Sequence, residues 1–221
     1  SNFSHITTSQ TVFVAFNEST KQQFIEKLPS NCKVFTFNGL GQSVLFKKKG
    51  FAALDHGRGQ KILESIIGKR IQDVQYREKL EYNNILKYLS CCKEELLDPS
   101  PDNFFRIQEK YGLNAAPTNI ELCQTIFRIM AQWNKSFQWS DQIWMALPLL
   151  TSPMYELAYV DEANDLSPLR LEFVLRVARH VIFTGDPYQS INAFAGADYE
   201  AFEKVRAISK IVLPLKTCFR M

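Results

Sequence analysis

The chain has 221 residues, 46% hydrophobic and 22% charged, with a net charge of +3. These values suit one or two soluble globular domains and exclude a disordered or collagen-like chain. No apolar run approaches the roughly 20 residues needed to cross a bilayer, and the polar stretch 1–10 lacks a basic-then-apolar signal pattern.

Residues 11–16 (TVFVAF) form a short run rich in β-formers, and 19–28 read as a helix closed by the Pro29 turn. A second such run, 33–37 (KVFTF), leads through Asn38 and Gly39 into another helical stretch ending near Phe46. Strands alternating with helices imply a parallel sheet with crossover connections. From 47 to 150 the strand signal fades. Apolar residues recur at helical spacing in three sets: Ile62, Ile66 and Ile67; Leu80, Ile85, Leu86 and Leu89; Ile120, Cys123, Ile126, Phe127 and Met130. Thr118, with Glu121 three residues on, has the spacing of a capping box. After Pro153 the α/β rhythm returns: strands at 156–160, 180–184 and 210–213, helices at 169–178 and 199–207. The expected fold is an α/β domain (1–46 and 151–221) with a mainly helical insertion (47–150).

Cysteines at 32, 91, 92, 123 and 218 include no C-x-x-C pair, which argues against a zinc site and fits a reducing compartment. The segment 47–140 holds 15 Lys/Arg against 11 Asp/Glu, so the positive surplus lies in the insertion. On charge alone, that surplus reads as a solvated helical surface.

Ligands of open parallel sheets bind beyond the carboxyl ends of the strands. Two acidic clusters sit at such ends, 161–165 (DEAND) and 184–190 (TGDPYQS). A carboxylate there can hold Mg²⁺, and its neighbour can deprotonate an attacking water. Either cluster alone is a weak signal, because acidic residues often cap the helix after a strand, as Asp165 or Ser167 could do after the first.

Taken together, the segments 161–166 (DEANDL), 185–191 (GDPYQSI) and 194–198 (FAGAD) resemble the DEAQDL and GDxxQSIYxFRGAD motifs of superfamily 1 helicases of the UvrD/Rep type. Residues 14–19, 36–40 (TFNGL) and 215–220 (LKTCFR) resemble further motifs of that family, in the family's order. The spacing, and the Gln-Trp and Pro-Leu-Leu segments before the acidic motif, are similar to the F-box-helicase-like subgroup. The resemblance implies a RecA-like, parallel-sheet P-loop NTPase domain with a helical inserted subdomain, acting as an ATP-driven motor on single-stranded DNA or at a single-strand–duplex junction. Its cofactors would be ATP and Mg²⁺. Asp161 would hold the metal, with Glu162 beside it as the second carboxylate of the metal site and as the general base. Gln189 would sense the γ-phosphate, Arg220 would stabilise transferred charge, and Phe219 would stack on adenine. Phe16, Asn38, Asn192 and Phe194 would lie along the DNA, the aromatics by base stacking. The plain alternative for each Phe is core packing. The compartment would be cytoplasmic, at the nucleoid, or nuclear in a eukaryote.

Several positions depart from the family pattern. Asn164 stands for Gln, Asn38 for His, Asn192 for Tyr, Ala195 for Arg and Glu18 for a frequent Lys. No G-x-x-x-x-G-K-[ST] segment occurs in the 221 residues. The expectation is therefore an internal fragment of a longer helicase, whose phosphate loop lies upstream and whose second motor domain lies downstream. The competing expectations are a degenerate relative that binds nucleic acid or protein without hydrolysis, and a phosphate- or metal-binding α/β domain of another family.

Overall fold

A computed structural model describes residues 7–132, 136–186 and 198–214, without the side chains of 198–201. In chain order the first part comprises β1 (Thr11–Ala15), α1 (Glu18–Lys27), β2 (Lys33–Thr36) and α2 (Phe37–Lys49). The helical region follows, with β3 (Ala53–Leu54), α3 (Arg58–Ile67), α4 (Tyr76–Glu95), α5 (Pro101–Tyr111), α6 (Ile120–Met130), β4 (Ser136–Phe137) and α7 (Gln142–Ala146). The last part contains β5 (Tyr155–Val160), α8 (Pro168–Val177), β6 (Ala178–Phe183) and α9 (Asp198–Ile208).

The main sheet is parallel throughout, in the order β2-β1-β5-β6. In β1, four of the five residues are buried, and β5 is buried on both faces as well. That is the pattern of central parallel strands covered by helices. The chain moves outward from β1 to β2, then returns to place β5 on the other side of β1. The order of the sheet therefore reverses between β1 and β5, and a crevice opens beyond their carboxyl ends.

Local sequence explains the helix boundaries. Asn17 caps α1 by accepting from the Thr20 amide at 2.8 Å, and Thr36 caps α2 by accepting from the Gly39 amide at 3.1 Å. Lys47, Lys48 and Lys49 occupy the last turn of α2, where they complement the negative end of the helix. Ser167 caps α8 with Pro168 in the first turn, so of the two candidate caps it is the serine that serves. At Gly41 a Cβ would lie 2.7 Å from the Gln142 carbonyl oxygen, so a glycine is needed where α2 meets α7.

Two apolar clusters form. One joins the sheet to α2, α7 and α8, through Val12, Val14, Leu40, Leu45, Ala158, Phe173 and Val174 among others. The other lies within the helical region around Ile85, Tyr88, Leu89, Cys92, Phe104, Cys123 and Ile126. Ile66 and Leu80, both placed on apolar faces by their spacing, are exposed at 38% and 52%. The Thr118 capping box does not form. Instead Pro117–Asn119 makes a 3₁₀ turn, and Glu81 takes both the Ala116 amide (2.8 Å) and the Asn119 side chain. Residues 210–213 are not a strand. Ile211, Val212 and Leu213 are 55–81% exposed, because the described sheet ends at β6 and offers this run no hydrogen-bonding neighbour. None of the described helices is long and apolar enough to cross a membrane.

Burial pushes three thiols up: Cys91 to about 11, Cys92 to about 12 and Cys123 to about 12, from an ordinary 9.0. These thiols keep their protons in the folded state after an unfolded chain has begun to ionise. Their stabilising contribution is complete below pH 9 and is lost as pH rises towards 11–12. At pH 8.5, iodoacetamide is expected to label Cys32 well before any of the three, with mass spectrometry of peptides as the readout. Rapid labelling of Cys92 or Cys123 in the folded protein would contradict the packing described.

Candidate functional site

The crevice between β1 and β5 is bordered by Phe16 and Asn17 on one side and by Asp161 and Glu162 on the other. Register fixes this placement. Val14 lies opposite Val160, and the Asp161 amide donates to the Val14 carbonyl oxygen at 3.2 Å, so the first carboxylate begins where the two strands end. β6 brings Thr184 alongside: its amide donates to the Val160 carbonyl oxygen at 2.8 Å, and its hydroxyl donates to Asp161 Oδ1 at 2.9 Å. That hydroxyl fixes one carboxylate oxygen, and Oδ2 takes no hydrogen bond among the described residues.

Glu162 has φ 53° and ψ 50°, a left-handed conformation. Outside glycine this costs on the order of 1–3 kcal/mol, and such strain persists where the surroundings over-determine it. Here the flanking residues hold it: the Asp161 amide is tied to β1, and the Ala163 amide donates to the Thr184 carbonyl oxygen at 2.9 Å. The turn breaks the direction of the chain immediately after β5 and sets the two consecutive carboxylates at the crevice.

Asn164, noted in the sequence only as a shorter amide than the family's Gln, has a definite task. It is 1% exposed, and its Oδ1 accepts from the Asp186 amide at 3.2 Å. It thus staples the loop after β6 to the loop after β5. Gly185 lies directly over this staple. A Cβ there would be 2.9 Å from Asn164 Oδ1 and 3.0 Å from the Ala163 nitrogen. Gly185→Ala is expected to cost about 1–3 kcal/mol of stability, seen as a lower urea midpoint. An unchanged midpoint would mean that the two loops are not stapled as described.

Phe16 and Asn38 are half-buried, Phe16 just past β1 and Asn38 in the first turn of α2, both at the carboxyl edge of the sheet. Arg170, which sequence reasoning missed, packs its guanidinium over Phe16, with its central carbon 5.1 Å from the ring centroid, and over Phe37 at 5.6 Å. A lone arginine in an amphipathic helix carries no signal of this. Gln189, Asn192, Phe194, Phe219 and Arg220 lie outside the described residues.

The donors gathered at the crevice are all oxygen: two carboxylates and the Thr184 hydroxyl. These are hard ligands suited to Mg²⁺, which keeps several waters and takes its remaining ligands from phosphate. No cluster of three or more His, Cys, Asp or Glu that could hold a metal by itself occurs among the described residues. The donors therefore fit a cation that arrives with a phosphate ligand. A separate cavity of about 480 Å³, lined by Leu45, Trp144, Met145 and Leu147 among others, shares no residue with this site.

The UvrD/REP helicase N-terminal domain family matches residues 15–208. A curated relative, F-box DNA helicase 1 of Gallus gallus, is 25% identical over 202 residues, which cover 84% of this chain and 20% of the relative. The chain thus spans about a fifth of the length of that protein.

Proposed function

Because the chain belongs to the UvrD/REP helicase N-terminal domain family, we propose that it supplies the hydrolytic carboxylates and part of the single-strand path of an ATP-driven DNA translocase or helicase. The observation that carries this reading is the pair Asp161–Glu162 at the crevice between β1 and β5, where the order of the sheet reverses, with Thr184 bonded to the first of them.

Bound Mg²⁺·ATP would supply the phosphoanhydride to be cleaved and the positive charge that neutralises its oxygens. Asp161, with Oδ1 held by the Thr184 hydroxyl, would offer Oδ2 to the metal directly or through water. Glu162 would orient the attacking water and accept its proton at a carboxylate oxygen. Gln189, Phe219 and Arg220 keep the roles that the family resemblance implies: γ-phosphate sensing, adenine stacking and charge stabilisation. Phe16, Asn38, Asn192 and Phe194 would border the single strand, at a junction with duplex or along free strand. The phosphate cradle is not encoded in these 221 residues, so turnover is to be measured on a protein that carries this chain together with that segment.

Two measurements test the reading. Fluorescence anisotropy of a labelled oligothymidylate with the 221-residue chain should show weak, salt-sensitive binding, with a log–log slope of about −0.7 per phosphate neutralised. ATP hydrolysis by the longer protein should be stimulated by single-stranded DNA. Strand binding without hydrolysis in that protein would favour the non-catalytic binding module. Tight, sequence-specific duplex binding would place the chain in a different functional class.

A further inference from the structure

We propose that Arg170 is a nucleic-acid contact of this site: a guanidinium stacked on Phe16 that reaches a backbone phosphate of the bound single strand, restrained by Glu94 from the helical region. The proposal rests on the single-strand reading above. Arg170 lies in the first turn of α8 and packs over two rings, Phe16 at 5.1 Å and Phe37 at 5.6 Å. Both rings sit at the carboxyl edge of the sheet, one immediately after β1 and the other opening α2. Stacking holds the guanidinium plane but leaves its N–H donors to find acceptors at its rim.

Those donors are poorly met. Arg170 Nε is buried and has no hydrogen-bond acceptor among the described residues. Its ion partner, Glu94 Oε2, is 4.0 Å away, and that same oxygen already accepts from the Ser167 hydroxyl at 2.5 Å. The other ion-paired arginines among the described residues are closer to their partners: Arg58 to Asp141 at 2.7 Å, Arg176 to Glu172 at 2.6 Å, Arg179 to Glu156 at 3.0 Å and Arg206 to Glu203 at 3.7 Å. Arg170 therefore keeps most of its charge and fork unspent, with a quarter of its side chain exposed. Nε is shut away from solvent, so a phosphate would meet the exposed quarter of the side chain, offering the terminal Nη groups two acceptor oxygens and a negative charge. The stacked ring and cation would then take one base and its adjoining phosphate together. Among the described residues, Glu94 is the carboxylate near the guanidinium, and it would compete with the phosphate for that charge. Through it, α4 of the helical region bears on strand binding.

The two residues give opposite signs, which a structural ion pair would not. Anisotropy titrations of labelled oligothymidylate are run over a range of KCl with the wild-type chain, Arg170→Gln, Arg170→Lys, Glu94→Gln and the double variant Arg170→Gln/Glu94→Gln, alongside thermal unfolding of each. Arg170→Gln should flatten the log–log salt slope by about 0.7 and weaken binding about fivefold at 0.1 M salt. Arg170→Lys should keep the slope but bind more weakly, having lost the stack. Glu94→Gln, which still accepts from Ser167, should strengthen binding several-fold. In the double variant the gain from Glu94→Gln should vanish. Wild-type binding with affinity and slope unchanged by Arg170→Gln would overturn the assignment and make Arg170 a packing residue. Binding weakened by Glu94→Gln would overturn the restraint. No binding by the wild-type chain would overturn the single-strand reading itself, and this assignment with it.

Discussion

Replacing Glu162 by Gln, in a protein that carries this chain with a phosphate-binding segment, is expected to cut ATP turnover by a factor on the order of 10² or more, with nucleotide binding largely kept. The substitution removes a proton acceptor and keeps the size of the side chain. Gln has the same length and branching as Glu, so it meets the same cost in the left-handed turn at φ 53°. The backbone bonds on either side, from Asp161 to Val14 and from Ala163 to Thr184, do not involve the side chain. A loss of rate in this variant would therefore report chemistry rather than a rearranged loop. The control is a matched urea midpoint. The decisive pair of measurements is steady-state hydrolysis and binding of a fluorescent nucleotide. Unchanged turnover would remove Glu162 from the reaction. Loss of nucleotide binding together with turnover would assign it a ligand role instead of that of a base.

What the sequence made legible was local. The run TVFVAF announces a buried parallel strand because β-branched and aromatic residues crowd between polar breaks, and Asn17, Thr36 and Ser167 each sit where a helix needs a side-chain acceptor. What failed depended on partners remote in the chain. An apolar run such as 210–213 looks the same whether or not a strand lies beside it, since strand formation is settled by the neighbour rather than by the run. Thr118 and Glu121 have capping-box spacing, but Glu81, some 35 residues earlier, claims the amide of Ala116. The acidic loop was legible as a motif, whereas the strain at Glu162 and the staple from Asn164 to Asp186 arise only when β5 and β6 lie side by side. Arg170 stayed hidden for the same reason: nothing in its own helix indicates that two rings from other elements meet there.

The largest stability effect is expected at Asp141, which no sequence pattern singled out. Its carboxylate is fully buried and faces two buried cations: Arg58 at 2.7 Å through Oδ2 and Lys93 at 2.6 Å through Oδ1. Arg58 also donates to the carbonyl oxygens of Met130 and Gln132, and the Lys93 ammonium lies 5.2 Å from the Trp144 ring centroid. The group therefore ties α3, α4 and the end of α6 to the segment that opens α7, and α7 packs into the sheet-side cluster. One anion against two cations leaves an excess positive charge inside the protein. Burial accordingly pulls the Lys93 ammonium below its ordinary value, an effect that Asp141 offsets in part. Asp141→Asn keeps the shape and removes the carboxylate that, among the described residues, compensates the two cations. Breaking a buried ion pair by removing one partner costs about 3–5 kcal/mol, because the survivor is left charged in a dry environment. Here two survivors are left, so the upper end of that range is expected. Lys93→Met is the informative contrast. It removes the surplus cation, keeps an apolar stem against Trp144 and leaves Arg58 and Asp141 as a neutral pair. Its cost should be well below that of Asp141→Asn. Added to Asp141→Asn, it should restore part of the loss, since one of the two stranded charges is gone. Urea unfolding followed by circular dichroism measures all three variants. A midpoint for Asp141→Asn close to that of the wild type, or no recovery in the double variant, would show that the triad is solvated in solution and does not join the helical region to the sheet.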